Sequence, residues 1–454
     1  MKRRLFELLK KNKTLFEFYA RLTSKRRIKR VQSIFERIAL LEEKAFSKQV
    51  AEHKTTIKDF LQHCTDSVPY YKNLDLTISD TSDIQKILKK FPILTKDIIR
   101  TQNEKLISSK FEITELETRQ TGGSTGQPLK FYATTEAQIE DQAHHWQLYS
   151  KIGVRLGDMI VALVGLNLSE EEISEGVFWR RHDKDNAFGT VQFSIQQLNE
   201  STLEQYVHHF NELKPKLIRS YPSALYRFAK MLNNRNLNLN FQLKGINLTS
   251  EVCEPYQKQY LERFFNTKVY NEYGNKELTV FCTTDGEGSF LKSSPSYGYV
   301  EVLDEHGEDV KPGETGKIIT TGFLNKGMPF VRYATGDLGT IKKRNAGIVT
   351  FSEIVGRNQD FLVDLHGEKK YSIGSIYGHG KEVFQKIKEW QIKQSKDGHL
   401  SLYLVINDEF SKVDEKKLVE HPFFKSFVLD FNYVQNLQRT MAGKQPFIIR
   451  ETFK

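Results

Sequence analysis

Arg119-Gln120-Thr121-Gly122-Gly123-Ser124-Thr125-Gly126-Gln127-Pro128-Leu129-Lys130 is the stretch on which the reading turns. Three glycines, three hydroxyl side chains and two basic residues fall within these twelve positions. Glycine lets a backbone approach a ligand closely. Consecutive exposed N–H groups form a concavity that holds anions, and Ser or Thr hydroxyls add donors. A nucleotide phosphate is the natural guest. The run is no Walker A loop, because the G-x-x-x-x-G-K-[ST] spacing is absent. A plain surface turn explains the composition equally well, so the rest of the chain has to decide.

The chain has 454 residues, 39% hydrophobic and 27% charged, a globular composition with room for two or three domains. No uninterrupted apolar run reaches the ~18 residues of a transmembrane helix, and the basic N-terminus lacks the apolar core of a signal peptide. Cys64, Cys253 and Cys282 are too few and too scattered for a disulfide framework or a zinc site, which fits a reducing cytoplasm. The net charge of +10 is local: residues 1–30 hold twelve Lys or Arg against two Glu, and the other 424 residues are balanced. A neutral body argues against a nucleic-acid partner. Residues 1–30 read as an amphipathic helix or helix pair, packed on the domain in preference to lying on an anionic membrane at the inner face.

Periodicity organises the remainder. Val31, Ile34, Phe35, Ile38 and Leu41 continue the helical N-terminus, a segment taken as 1–65. Thr95 is placed to cap a helix. Helices are expected over 138–153, 203–213 and 223–232, and strands over 159–166, 217–220, 246–249, 268–270 and 318–320. That alternation is an α/β pattern. Beyond about residue 340, short strands (348–354, 361–363, 400–406, 447–449) around a helix at 380–391 suggest a small α+β domain. The expected division is 1–357 and 358–454, a large multi-layered α/β domain followed by a small mobile one.

Four short motifs keep company with the opening stretch. Asn271-Glu272-Tyr273-Gly274-Asn275-Lys276-Glu277 offers a ring as a purine platform, an amide for the adenine edge and a carboxylate for Mg²⁺. Thr335-Gly336-Asp337 puts a carboxylate in a tight turn, suited to ribose hydroxyls. Gly356-Arg357 supplies a guanidinium for phosphate or ribose. Thr440-Met441-Ala442-Gly443-Lys444 carries a cation on a glycine loop near the C-terminus. Each alone is matched by an ordinary turn or a solvated side chain.

Their order is more specific. The five motifs resemble, in sequence order, the phosphate loop, Y-G-x-x-E, T-G-D, G-R and T-x-[SA]-G-K of the adenylate-forming superfamily. Length and helical N-terminus resemble its phenylacetate–CoA ligase branch and the CapK-like proteins linked to bacterial surface polysaccharide synthesis. The resemblance implies activation of a small carboxylic acid by ATP and Mg²⁺, with pyrophosphate released, then acyl transfer to CoA or another thiol. Transfer to a non-thiol acceptor such as a sugar, or a degenerate membrane-associated assembly protein, are the alternatives. The resemblance assigns the phosphates to Thr121, Gly122, Gly123, Ser124, Thr125 and Gly126, with Thr125 also catalytic. It assigns adenine to Tyr273, Mg²⁺ to Glu277, ribose to Asp337, the ribose or α-phosphate region to Arg357, and the bridging cation to Lys444, with Asn271 and Gly274 as nucleotide-binding candidates beside them. Ser250 and Glu251, at the end of Gly245–Glu251, are further nucleotide candidates.

The departures are Gln127 in place of a lysine, Gln359 at the hinge, and a segment 364–374 without the usual glycine-rich pattern. His144-His145 fall near the family's acyl pocket. Adjacent positions point to different helix faces, so one is expected at the core edge and one exposed.

Overall fold

The computed structural model describes residues 13–74, 76, 78, 83–121, 129–181, 188–284, 288, 290–357, 361–370, 383–384, 386–440 and 445–450; side chains are described from residue 25 onward, save 357 and 369. The N-terminal segment is two helices, α1 (Lys13–Glu43) and α2 (Phe46–Ser67), where one continuous pattern was expected. The buried Gln49 amide donates to the carbonyls of Glu42 and Lys44, both at 2.8 Å. It thereby satisfies acceptors that a helix end leaves without partners. Ile28, Val31, Ile34, Phe35 and Ile38 pack on α3 (Thr135–Lys151), against Ile139, Ala143 and Trp146. Burying Val31 and Ile38 contributes about 2 kcal/mol each. Arg27 donates to Gln142 and Arg30 pairs with Glu136, so part of the basic face is spent on α3.

β1 (Glu117–Gln120) and β2 (Lys130–Ala133) form a small antiparallel pair, with Gln120 opposite Lys130. The large sheet follows. β3 (Ile160–Val164), β5 (Thr190–Ser194), β6 (Leu217–Ser220), β7 (Gly245–Thr249) and β8 (Val269–Gly274) run parallel in the order β5-β3-β6-β7-β8. β4 (Trp179–Arg180) closes one edge. Crossover helices α4 (Leu203–Leu213), α5 (Pro222–Asn234) and α6 (Pro255–Phe265) cover one face. There Val161, Leu163, Val191, Phe193, Ile218, Ile246 and Leu248 meet Phe210, Phe228, Leu232 and Leu261 in one core. Helix α3 covers the other face, and Ile160 and Leu217 join its core.

At β8 the sheet changes character. β9 (Phe281–Thr283) pairs with it antiparallel, and the sheet continues through β10 (Leu291–Ser293), then β14, β13, β12 and finally β11 (Gly298–Leu303), all antiparallel. Here β12 is Thr315–Gly322, β13 is Tyr333–Asn345 and β14 is Ile348–Arg357. Among the described residues twelve strands share this sheet. Asn271–Gly274 lie on the seam strand itself, and Thr335–Asp337 lie in β13, not in free turns.

The C-terminal unit contains β15 (Leu362–Val363), β16 (Lys369–Lys370), β17 (Ile387–Lys396), β18 (His399–Ile406), α7 (Lys412–Val419), β19 (Val428–Tyr433) and β20 (Ile448–Arg450). Its four-stranded sheet has the order β19-β18-β17-β20. The helix expected over 380–391 is corrected over its last five positions: residues 387–391 open β17. Lys, Glu and Gln favour helix weakly, whereas pairing with β18 and burial of Trp390 and Ile392 reward an extended chain. The division expected at residue 358 falls on 358–360, outside the described residues.

Candidate active site

The seam strand and β13 meet through side chains. Tyr273 donates its hydroxyl to Asp337 Oδ2 at 2.9 Å, across 64 positions of sequence. Its ring packs edge-on against Phe351. Burial, and then the Asp337 charge, push the Tyr273 hydroxyl well above its ordinary pKa, so it stays a donor. The Asp337 backbone N–H donates to Thr335 Oγ1 at 3.0 Å, and that hydroxyl donates to the Ile318 carbonyl at 2.9 Å. Gly336 between them has φ +83°, a backbone state other residues enter at a cost. Asp337 also stands opposite Arg357 in the β13–β14 register. Three of the motifs therefore share one corner of the sheet.

Glu277 is buried and accepts the Tyr333 hydroxyl on Oε1 at 2.5 Å. Magnesium is held by one or two carboxylates plus phosphate oxygens. Asn271 donates its backbone N–H to Thr284 Oγ1 at 2.9 Å. Its Oδ1 is buried without a hydrogen-bond partner among the described residues, an acceptor suited to an adenine amino group.

The end of β7 adds a third side. Ser250 has φ +70°, a strained state for a residue with a Cβ. Glu251 Oε2 accepts the Ser223 N–H at 3.1 Å, and Oε1 accepts the Gln445 N–H at 3.3 Å. The C-terminal unit is thus tied to the large sheet one residue past Lys444. A second tie is Glu389, which meets Arg227 at 3.2 Å and Arg439 at 3.0 Å. Lys444 itself lies outside the described residues. So do Gly122, Gly123, Ser124, Thr125 and Gly126, and the Arg357 side chain is not described. Thr121 is described: its N–H donates to the Leu129 carbonyl and its Oγ1 accepts the Leu129 N–H, both at 3.0 Å. It clamps the two ends of the opening stretch together.

A fourth cluster lies beside these groups on the α3 face of the sheet. Glu272 Oε1 accepts from Arg219 at 3.1 Å and from Thr249 at 3.0 Å, and Oε2 meets His145 Nδ1 at 3.1 Å. Burial opposes ionisation of Glu272, but His145 and Arg219 outweigh it and hold the carboxyl at about 2. His144 points elsewhere, to the Glu140 carbonyl and the Ser296 hydroxyl, and burial lowers it to about 4.

Residues 367–451 match the family model of the CapK C-terminal domain. Protein CapK of Staphylococcus aureus is 25% identical over 373 residues, 80% of each chain. The chain is thus similar to Protein CapK over most of its length, and its C-terminal part resembles the CapK C-terminal domain. A phenylacetate–coenzyme A ligase of Thermus thermophilus is 23% identical over 49% of each chain. In fold, the CapK-like chain is similar to 2-hydroxyisobutyryl-CoA ligase solved in the postadenylation state (TM-score 0.69, 17% identity, 90% of each chain). Against the same ligase in its thioesterification state the TM-score is 0.55.

Within this CapK-like chain the structure brings Tyr273, Asp337 and the Arg357 backbone together, with Glu277, Ser250 and Glu251 on adjoining strand ends. The sequence reading missed Arg219, Glu272 and Tyr333 as members of the constellation. One signal was present: Leu217-Ile218-Arg219-Ser220 is an apolar strand broken by a single cation, and a buried charge needs a partner. The expectation of one exposed histidine is also corrected, since the side chain of His145 is only 19% exposed and is held by Glu272.

Proposed function

We propose that this chain activates a carboxylic acid as its acyl-adenylate. A carboxylate oxygen attacks the α-phosphorus of ATP, and pyrophosphate leaves. A thiol, CoA being the chief candidate, then attacks the acyl carbon, and AMP leaves. The observation that carries the reading is the Tyr273–Asp337 hydrogen bond at 2.9 Å. It joins two short motifs that the superfamily's resemblance assigns to one nucleotide.

The roles follow from the chemistry of the side chains. Asp337 accepts ribose hydroxyl protons, and Tyr273 fixes the carboxylate that does so. Asn271 Oδ1 accepts from adenine. Glu277 holds Mg²⁺, which neutralises phosphate charge when bound. Thr121, Gly122, Gly123, Ser124, Thr125 and Gly126 cradle the phosphates, Arg357 serves the ribose or α-phosphate, and Lys444 bridges carboxylate and α-phosphate. Positioning and cation charge carry such a transfer. The small unit, residues 358–454, swings to bring Lys444 in for the first step and remove it for the second. A place in bacterial surface polysaccharide synthesis is supported by the likeness to Protein CapK. At the end of the basic segment, Arg27, Ile28 and Arg30 contact α3, which supports a domain contact there over a membrane contact. Liposome flotation with and without those residues separates the two.

Acid-dependent exchange of labelled pyrophosphate into ATP tests the reading. Exchange is expected in wild type and not in Lys444→Ala, with ATP binding retained by both. Undiminished exchange in Lys444→Ala removes the role of that lysine, and ATP binding with no exchange for any acid removes the adenylation reading.

A further inference from the structure

The face of the parallel sheet beneath α3 carries a polar row at its centre. In register across four strand pairings lie Gln192 on β5, Ala162 on β3, Arg219 on β6, Asn247 on β7 and Tyr270 on β8. Central strands of a parallel sheet are normally apolar on both faces. The opposite face here obeys that rule and this one does not. Arg219 is flanked by fully buried Ile218 and Ser220, yet 32% of its side chain remains exposed. A partly exposed guanidinium in the middle of a covered sheet means open space above it, and the small Ala162 beside it enlarges that space.

Three atoms in this row lack partners. Arg219 Nε and both amide atoms of Asn247 are buried and make no hydrogen bond among the described residues. Asn247 is 0% exposed. Buried polar atoms are nearly always hydrogen-bonded, so water or a polar ligand group completes them. The row also leads toward the end of the sheet where a ligand is expected. Thr249 and Glu272 stand two residues further along β7 and β8, about 7 Å nearer the carboxyl ends. Tyr273, bonded to Asp337, follows directly. Ligands of such sheets bind outside the carboxyl ends of the strands.

Charge decides the chemistry. Glu272 already meets Arg219 and His145, and Asp141 lies 3.9 Å from His145. The two basic groups are matched by two carboxylates, so a further anion would be buried without a counter-charge. The buried groups left over are the Arg219 Nε–H donor and the Asn247 amide, which both donates and accepts. A hydroxyl answers both, because it accepts one hydrogen bond and donates another. An alkyl or aryl group answers neither. Resting on the acid-activation reading above, we propose that the acid taken by this site is a hydroxylated carboxylic acid, its hydroxyl read by Arg219 and Asn247.

The test is pyrophosphate release over matched pairs: lactate against propionate, 3-hydroxybutyrate against butyrate, 4-hydroxyphenylacetate against phenylacetate. Wild type should favour the hydroxylated member of at least one pair by tenfold or more in kcat/KM, since a site built to bond a hydroxyl strongly rejects the analogue without one. Asn247→Leu and the charge-preserving Arg219→Lys should cut that preference below threefold, with ATP affinity and thermal melting checked alongside. Wild type alone can overturn the inference: equal or better use of the unhydroxylated member in every pair does so, whether or not the variants fold. Release of pyrophosphate with only apolar acids would leave acid activation standing while this inference falls. No release with any acid, despite bound ATP, would remove both.

Discussion

Glu251 Oε1 accepts the backbone N–H of Gln445 at 3.3 Å, linking the end of β7 to the residue after Lys444. The same carboxylate receives the Ser223 N–H on its other oxygen, so one side chain ties the start of α5 to the C-terminal unit. A hydrogen bond to a charged group contributes about 1.5–3 kcal/mol. Glu251→Ala should therefore slow acid-dependent pyrophosphate exchange by roughly 10- to 100-fold if most of that energy positions the lysine, with ATP affinity little changed. Glu251→Gln keeps an acceptor and should lie between. Equal exchange in wild type and Glu251→Ala would show that the contact does not serve the lysine.

Tyr273 and Asp337 should behave as a pair. Tyr273→Phe removes one hydroxyl donor that holds Asp337, a loss of about 1 kcal/mol, or roughly fivefold in ATP affinity. Asp337→Ala removes the ribose acceptor as well and should weaken ATP further. The double variant should be no weaker than Asp337→Ala, because the hydroxyl has no purpose once its acceptor is gone. Calorimetric titration of the four proteins with ATP measures this, and strictly additive losses would separate the two residues.

Glu272 gives a pH signature. Its folded carboxyl is held at about 2, below the ordinary glutamate value of 4.5, so its contribution is fully present above the unfolded value and lost as pH falls toward 2. The size is on the order of 3 kcal/mol. Wild type should lose more stability than Glu272→Gln between pH 5 and 3, measured by urea unfolding at each pH. Parallel curves would mean that Arg219 and His145 do not hold the charged form. Any His145 contribution also requires protonation of that ring, so adding His145→Gln to the series separates the two cations.

Legibility in the sequence followed the range of the forces involved. Leu203–Leu213 and Leu217–Ser220 were readable to the residue because their apolar spacing and turn residues are local. The five motifs were readable through their order along the chain, since each alone is matched by an ordinary turn or a solvated side chain. Thr335-Gly336-Asp337 was read as a turn because glycine marks one, whereas long-range pairing with β12 and β14 makes it a strand with one kinked residue. The error at 387–391 has the same origin. Arg219 was the least legible: its role depends on Glu272, 53 positions away, and on the register that sets it beside Asn247. Pairing across strands is written in no single stretch of chain.

Glu389 is the side chain on which the two units balance. It sits on β17, meets Arg227 of α5 at 3.2 Å and Arg439 of its own unit at 3.0 Å. All three side chains are mostly buried, at 22% exposure or less, so the charges are shielded from solvent screening. Rotation of the C-terminal unit must break the Arg227 contact, whereas the Arg439 contact can travel with the unit. On the proposed rotation Arg227 would bias the observed arrangement, and Arg439 would keep Glu389 paired when it opens. Arg227→Ala should lower the fraction of molecules in this arrangement, seen as a larger radius of gyration in solution scattering and faster tryptic cleavage near residue 358. In the two-step reaction it should slow adenylate formation severalfold and leave thiol transfer from preformed adenylate unchanged or faster. Glu389→Ala strands two arginines and should also lower the melting temperature, which Arg227→Ala should do less. Equal slowing of both steps by Arg227→Ala would show that the contact supports the fold and does not set the balance between arrangements.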